Sequence, residues 1–135
     1  MSSSGLDIEV LGIDMLVPDA PTALEVRELC VLALASAGID EGHMAVEFVD
    51  AERIRVLNRE YRNIDSPTDV LSFGVDEDGD SAGPRELGDI VICPEHTIDL
   101  REAVVHGTLH LTGMDHEVDD GEMLALQSEL MRWVR

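Results

Sequence analysis

The stretch His-Gly-Thr-Leu-His-Leu-Thr-Gly-Met-Asp-His (106–116) constrains this chain more than any other. His106 and His110 are four apart, so on a helix their rings leave from one face. Gly113 then suits a helix C-cap, because glycine tolerates the left-handed backbone that turns a chain out of a helix. The turn lets His116 come back toward the first two rings. Whatever fold forms must therefore hold a helix, a tight turn and a returning strand of chain around one point. Three imidazoles with a fourth position left open are the donor set of a catalytic rather than a structural zinc site.

The spacing is that of the zinc-peptidase helix H-E-x-x-H-x-x-G-x-x-H, but Gly107 occupies the glutamate position. That glutamate is the base which activates water in peptidases. Glycine inside a helix costs about 1 kcal/mol relative to alanine, so its presence beside a ligand needs a reason. The reading favoured from sequence is that it leaves room for a bulky substrate to approach the ion. The alternative is close packing of the helix backbone on a sheet. Without the glutamate, a metal acting on a phosphodiester becomes the better chemistry, and that chemistry calls for a cation facing the phosphate.

Arginines supply it. Arg55, Arg59 and Arg62 follow one another at i, i+4 and i+7 in AERIRVLNREYR (51–62), and Arg53 lies in the same segment. Arginine binds phosphate through two parallel hydrogen bonds. Pairing with neighbouring acids such as Glu52 and Glu60 is the competing fate of each. This basic island is unusual here, for the net charge is −20 and no lysine occurs. So negative a chain repels nucleic acid at long range. It suits docking on basic proteins.

The remaining pattern reads βαβαββαα. Strands are expected over 6–12, 44–50, 68–75 and 86–93 from alternation or apolar runs. A first helix should run from about Thr22 to Gly38, with Leu24, Leu29, Leu32 and Ala35 among its apolar positions. In the helix at 51–62, Ile54, Leu57, Asn58 and Tyr61 form the inner face. Pro94 is expected to open the helix that carries His106 and His110. A last helix over about 119–134 holds Met123, Leu126, Leu130 and Trp133. The fold class is α+β: one domain over 1–135, a mixed four-stranded sheet covered by helices mainly on one side, with the metal site on a helix-turn segment. Residues 1–5 are expected to be flexible and 76–85 to form a loop. Cys30 and Cys93 read as small buried hydrophobes. His43 and His96 read as surface or structural residues. No apolar run reaches the roughly 18 residues of a membrane span, and no signal peptide is visible, so a cytoplasmic protein is expected.

Three blocks in order carry a resemblance. HGTLHLTGMDH resembles the H-G-x-L-H-L-x-G-Y-D-H signature of the YbeY family of bacterial rRNA-maturation endoribonucleases. LNREYRNIDSPTDVLSF (57–73) resembles its L-N-x-x-Y-R-x-K-D-x-P-T-D-V-L-S-F block, and ELGDIVIC (86–93) resembles its third. Met114 and Ile64 replace the family's tyrosine and lysine. The resemblance implies a zinc-dependent endoribonuclease specific for single strands, acting on the 16S rRNA precursor at its 3′ end and in quality control of the small ribosomal subunit. It implies His106, His110 and His116 as ligands of one Zn²⁺ and Arg62 as the cleft arginine needed for activity. Arg55 and Arg59 are candidates for RNA contact. RNA and ribosomal proteins, not DNA or a membrane, are the implied partners. Asp115, Asp69 and Asp89 are candidates for orienting the imidazoles. A zinc peptidase-like hydrolase and a non-catalytic ribosome assembly factor are the competing readings.

Overall fold

The computed structural model describes residues 5–15, 20–75 and 85–134. Four strands form one sheet: β1 (Gly5–Leu11), β2 (Glu41–Phe48), β3 (Val70–Gly74) and β4 (Glu86–Ile92), in the spatial order β1-β2-β4-β3. β1 and β4 run parallel to β2, and β3 is antiparallel to β4, with Leu71 opposite Val91. The sheet is therefore mixed and the class is α+β, as the sequence implies. Gly5 opens β1 rather than belonging to a free terminus. The expectations for residues 1–4 and 76–84 lie outside the described residues.

The end of β4, Ile90–Ile92, runs on into Cys93 as an unbroken apolar stretch, and the packing shows why. Ile90 and Ile92 enter the main core with Met44, Val46 and Phe48, while Val91 and Cys93 enter a second cluster with Val49, Ile54 and Leu71. A strand buried on both faces cannot alternate with polar residues. The main core is closed by α1 (Ala23–Ser36), α3 (Leu100–Leu111) and α4 (Glu122–Met131), and the second by α2 (Ala51–Arg62).

α1, α2 and α3 each start on a side-chain cap. Thr22 accepts from the Glu25 amide, Asp50 from Arg53 and Asp99 from Glu102, satisfying amides that have no partner within the helix. α4 has Gly121 at its N-cap, with no side chain to cap it; Asp119, two residues earlier, accepts from the Gly121 and Met123 amides at 2.8 and 2.9 Å.

Several local expectations need correction. α1 buries Val26, Leu29, Cys30, Ala33 and Leu34, a stripe one residue round from the expected one, and leaves Leu24 64% exposed. Pro94 opens only a short 3-10 turn (Pro94–His96), and the histidine helix begins later, at Leu100, where Asp99 can cap it. α4 is shorter than expected, so Trp133 falls beyond it, 74% exposed. Tyr61 is not on the inner face of α2; it is 66% exposed and meets Phe73 edge to face, with ring centroids 5.1 Å apart. Both cysteines are buried free thiols, and burial pushes the Cys30 thiol up to about 12.

Candidate metal centre

α3 ends where the sequence predicts. Gly113 takes φ +104°, its amide donates to the His110 carbonyl, and the Met114 amide reaches back to the Leu109 carbonyl. This paired arrangement is a Schellman turn. It throws the chain back over the helix face and brings His116 beside His106 and His110. One nitrogen from each of the three rings lies within 4.8 Å of the others. The three could hold a metal ion.

Two of the three rings, His106 and His110, are oriented by hydrogen bonds at Nδ1. His110 Nδ1 lies 3.0 Å from the Met114 carbonyl oxygen. A carbonyl can only accept, so Nδ1 carries the proton and Nε2 keeps its lone pair. His106 Nδ1 lies 2.8 Å from Gln127 Oε1, delivered by α4. The donor set thus fits a metal, with His106 and His110 held in the tautomer that leaves Nε2 free. Burial, chiefly, and then the neighbouring His106 hold His110 below the ordinary imidazole range, which keeps the ring neutral and able to ligate.

These orienting partners differ from the three aspartates considered from sequence. Asp69 Oδ1 accepts from the Val70 amide, Asp115 Oδ1 accepts from the Glu117 amide, and Asp89 lines a neighbouring cavity instead. Gln127 lies 21 residues from its histidine, and no local spacing marks it. Only its place on the apolar-polar border of the last helix could have hinted at an inward polar group.

Gly107 also has a different explanation from the favoured one. A Cβ there would sit 2.7 Å from Ile90 Cγ2, inside the van der Waals distance. The glycine lets α3 lie close on β4, and the Gly107 carbonyl accepts from Ser72 Oγ of β3 at 3.2 Å. Position 107 faces the sheet, so a side chain there could not deliver a base to the ion.

The histidines open into a cleft of about 800 Å³ whose far wall is Arg62, Tyr61 and β3. Arg62 makes no ion pair among the described residues and lines this cleft. Arg55 does not; it is engaged by Asp65 at 2.7 Å and Glu52 at 3.6 Å. Arg59 is exposed on α2 but is not part of the cleft wall. The stripe therefore splits, and one arginine of the three faces the histidines. His43 bridges strands instead, between Glu86 at 3.1 Å and Glu9 at 3.4 Å.

Three histidines that could hold a metal ion therefore share a cleft of an α+β domain with Arg62. The family model described as Endoribonuclease YbeY matches residues 17–135, and the chain belongs to that family. It is 43% identical to the endoribonuclease YbeY of Rubrobacter xylanophilus, over 94% of this chain and 92% of that protein. It is 44% identical to the one from Geobacillus thermodenitrificans, over 73% and 78%. Among solved structures, the solution structure of TM1509 from Thermotoga maritima is similar at a TM-score of 0.52 and 29% identity, covering 93% of this chain and 87% of that one. Among the described residues no helix is long and apolar enough to cross a membrane.

Proposed function

We propose that the chain, as one domain over 1–135, is a zinc-dependent endoribonuclease that cuts single-stranded RNA. Its cellular task would be maturing the 16S rRNA 3′ end and monitoring the small ribosomal subunit in the cytoplasm. The observation that carries this reading is the convergence of His106, His110 and His116 within 4.8 Å, in a cleft that also contains Arg62. The endoribonuclease activity for which the relatives are named supports the same chemistry.

His106 and His110 would hold the ion through the nitrogens left free by Gln127 and Met114, with His116 as the third ligand. When bound, zinc supplies Lewis acidity toward a phosphate oxygen and lowers the pKa of water to near 7. Arg62 binds the phosphate across the cleft and offsets the charge that builds on its oxygens. Arg59, exposed on the same helix, can meet a phosphate further along the strand; Arg55 is already committed to Asp65 and Glu52. The peptidase alternative loses ground because position 107 points at Ile90. With a net charge of −20, basic ribosomal proteins are the partners that would bring the enzyme to its RNA.

The test is metal analysis together with mapping of rRNA ends. Wild type should bind one zinc per chain and trim the 16S precursor. His106→Ala should lose both properties while its far-UV circular dichroism stays native. A His106→Ala protein that still cuts RNA as wild type does would overturn the reading.

A further inference from the structure

The acidity of the chain leaves a physical question about its affinity for RNA. Long-range attraction of phosphates is unavailable to a molecule of net charge −20. The cleft itself sets Asp69, Asp115 and Glu117 against Arg62. Much of the grip on a strand must come from an interaction that does not depend on charge.

The chain has only four aromatic residues besides histidine: one Trp, one Tyr and two Phe. Phe48 is in the core, 1% exposed. Trp133 lies past α4 and lines a groove with α1. The other two, Tyr61 and Phe73, meet at the metal cleft. Phe73 is anchored on β3 against the second apolar cluster. Tyr61 stands on it edge to face, 66% exposed. An aromatic ring so exposed is not there to fill the core. The pair forms a shared wall: it lines the histidine cleft and also a second cavity of about 380 Å³, which has Leu57, Val91 and Arg53 in its lining.

We propose that Tyr61, backed by Phe73, is a stacking platform for one unpaired nucleobase of the RNA strand lying in the metal cleft. This deepens the nuclease reading and rests on it. Tyr61 and Arg62 are consecutive and both line the cleft, so base and phosphate are met by adjacent residues. The second cavity, on the other side of the pair, has Arg53 in its lining together with the acids Glu47 and Asp89. Stacking on an aromatic ring contributes about 1–3 kcal/mol per base whatever the base. It also selects single strands, because a base within a duplex has both faces covered.

The test is binding of a short, labelled, unpaired oligoribonucleotide in the presence of a chelator, read by fluorescence anisotropy. Tyr61→Leu should bind about tenfold more weakly or worse, whereas Tyr61→Phe should stay within about twofold, since a stacking face is kept. Wild-type affinity should fall only shallowly with added salt. Tyr61 is the chain's one tyrosine, so in a Trp133→Phe background its emission should be quenched by the oligonucleotide. If wild type cuts RNA but Tyr61→Leu binds as tightly as wild type, stacking is overturned and the nuclease reading stands. If no metal supports cleavage yet the oligonucleotide quenches Tyr61, stacking stands and the nuclease reading falls. Failure of wild type to bind the oligonucleotide at all overturns the platform.

Discussion

Gly107 of α3 lies so close to Ile90 of β4 that a single added methyl would approach Ile90 Cγ2 to 2.7 Å. The residue that breaks the peptidase motif therefore belongs to the helix–sheet interface and not to the cleft. Gly107→Ala should destabilise the fold by about 1–2 kcal/mol in urea unfolding, overpacking outweighing the gain in helix propensity. In an Ile90→Ala background the same change should be neutral or stabilising, a coupling that a double-mutant cycle measures. If Gly107→Ala lowered activity and left stability untouched, the opening beside the ion would be the better account.

Gln127 reaches His106 Nδ1 at 2.8 Å. Removing such a partner costs about 10–100-fold in metal affinity. Gln127→Leu should show that loss in competition with a chromophoric chelator. Gln127→Glu keeps an acceptor at the same reach and should hold affinity at or above wild type.

Arg62 and Arg55 should separate clearly. Arg62→Ala should lower kcat by about 10²–10³-fold with bound metal unchanged. Arg55→Ala, which removes the partner of exposed Asp65 and Glu52, should change cleavage little and stability by less than about 1 kcal/mol. Equal losses from both substitutions would mean that the whole helix face meets RNA.

His43 gives a pH signature remote from the cleft. Its hydrogen bond to Glu86 is the main reason its pKa is raised above the ordinary 6.5, and Glu9 and Asp7 act in the same direction. A raised folded pKa means stability that is fully present below 6.5 and lost as pH rises through the folded value. The stability difference between wild type and His43→Gln should therefore be largest below that pH and shrink above it. Its size should stay within about 1 kcal/mol, because the pair is solvent-screened. Denaturant midpoints across the neutral range test the sign.

Whatever depends on neighbours along the chain was legible in the amino-acid order. The His106–His110 spacing, the Gly113 turn and the apolar run of β4 follow from helix and strand periods, and the α+β order follows from their succession. What depends on residues brought together from different elements emerged only with folding. Gln127 lies 21 residues from His106, Ile90 is on another element than Gly107, and Arg62 faces the histidines only because α2 packs on the sheet with its C-terminal end at the cleft. The helical period puts Arg55, Arg59 and Arg62 on one face but does not orient that face toward the ion. Asp65 engages Arg55 from the loop beyond α2, and that competition for a charge arises only once the chain has folded.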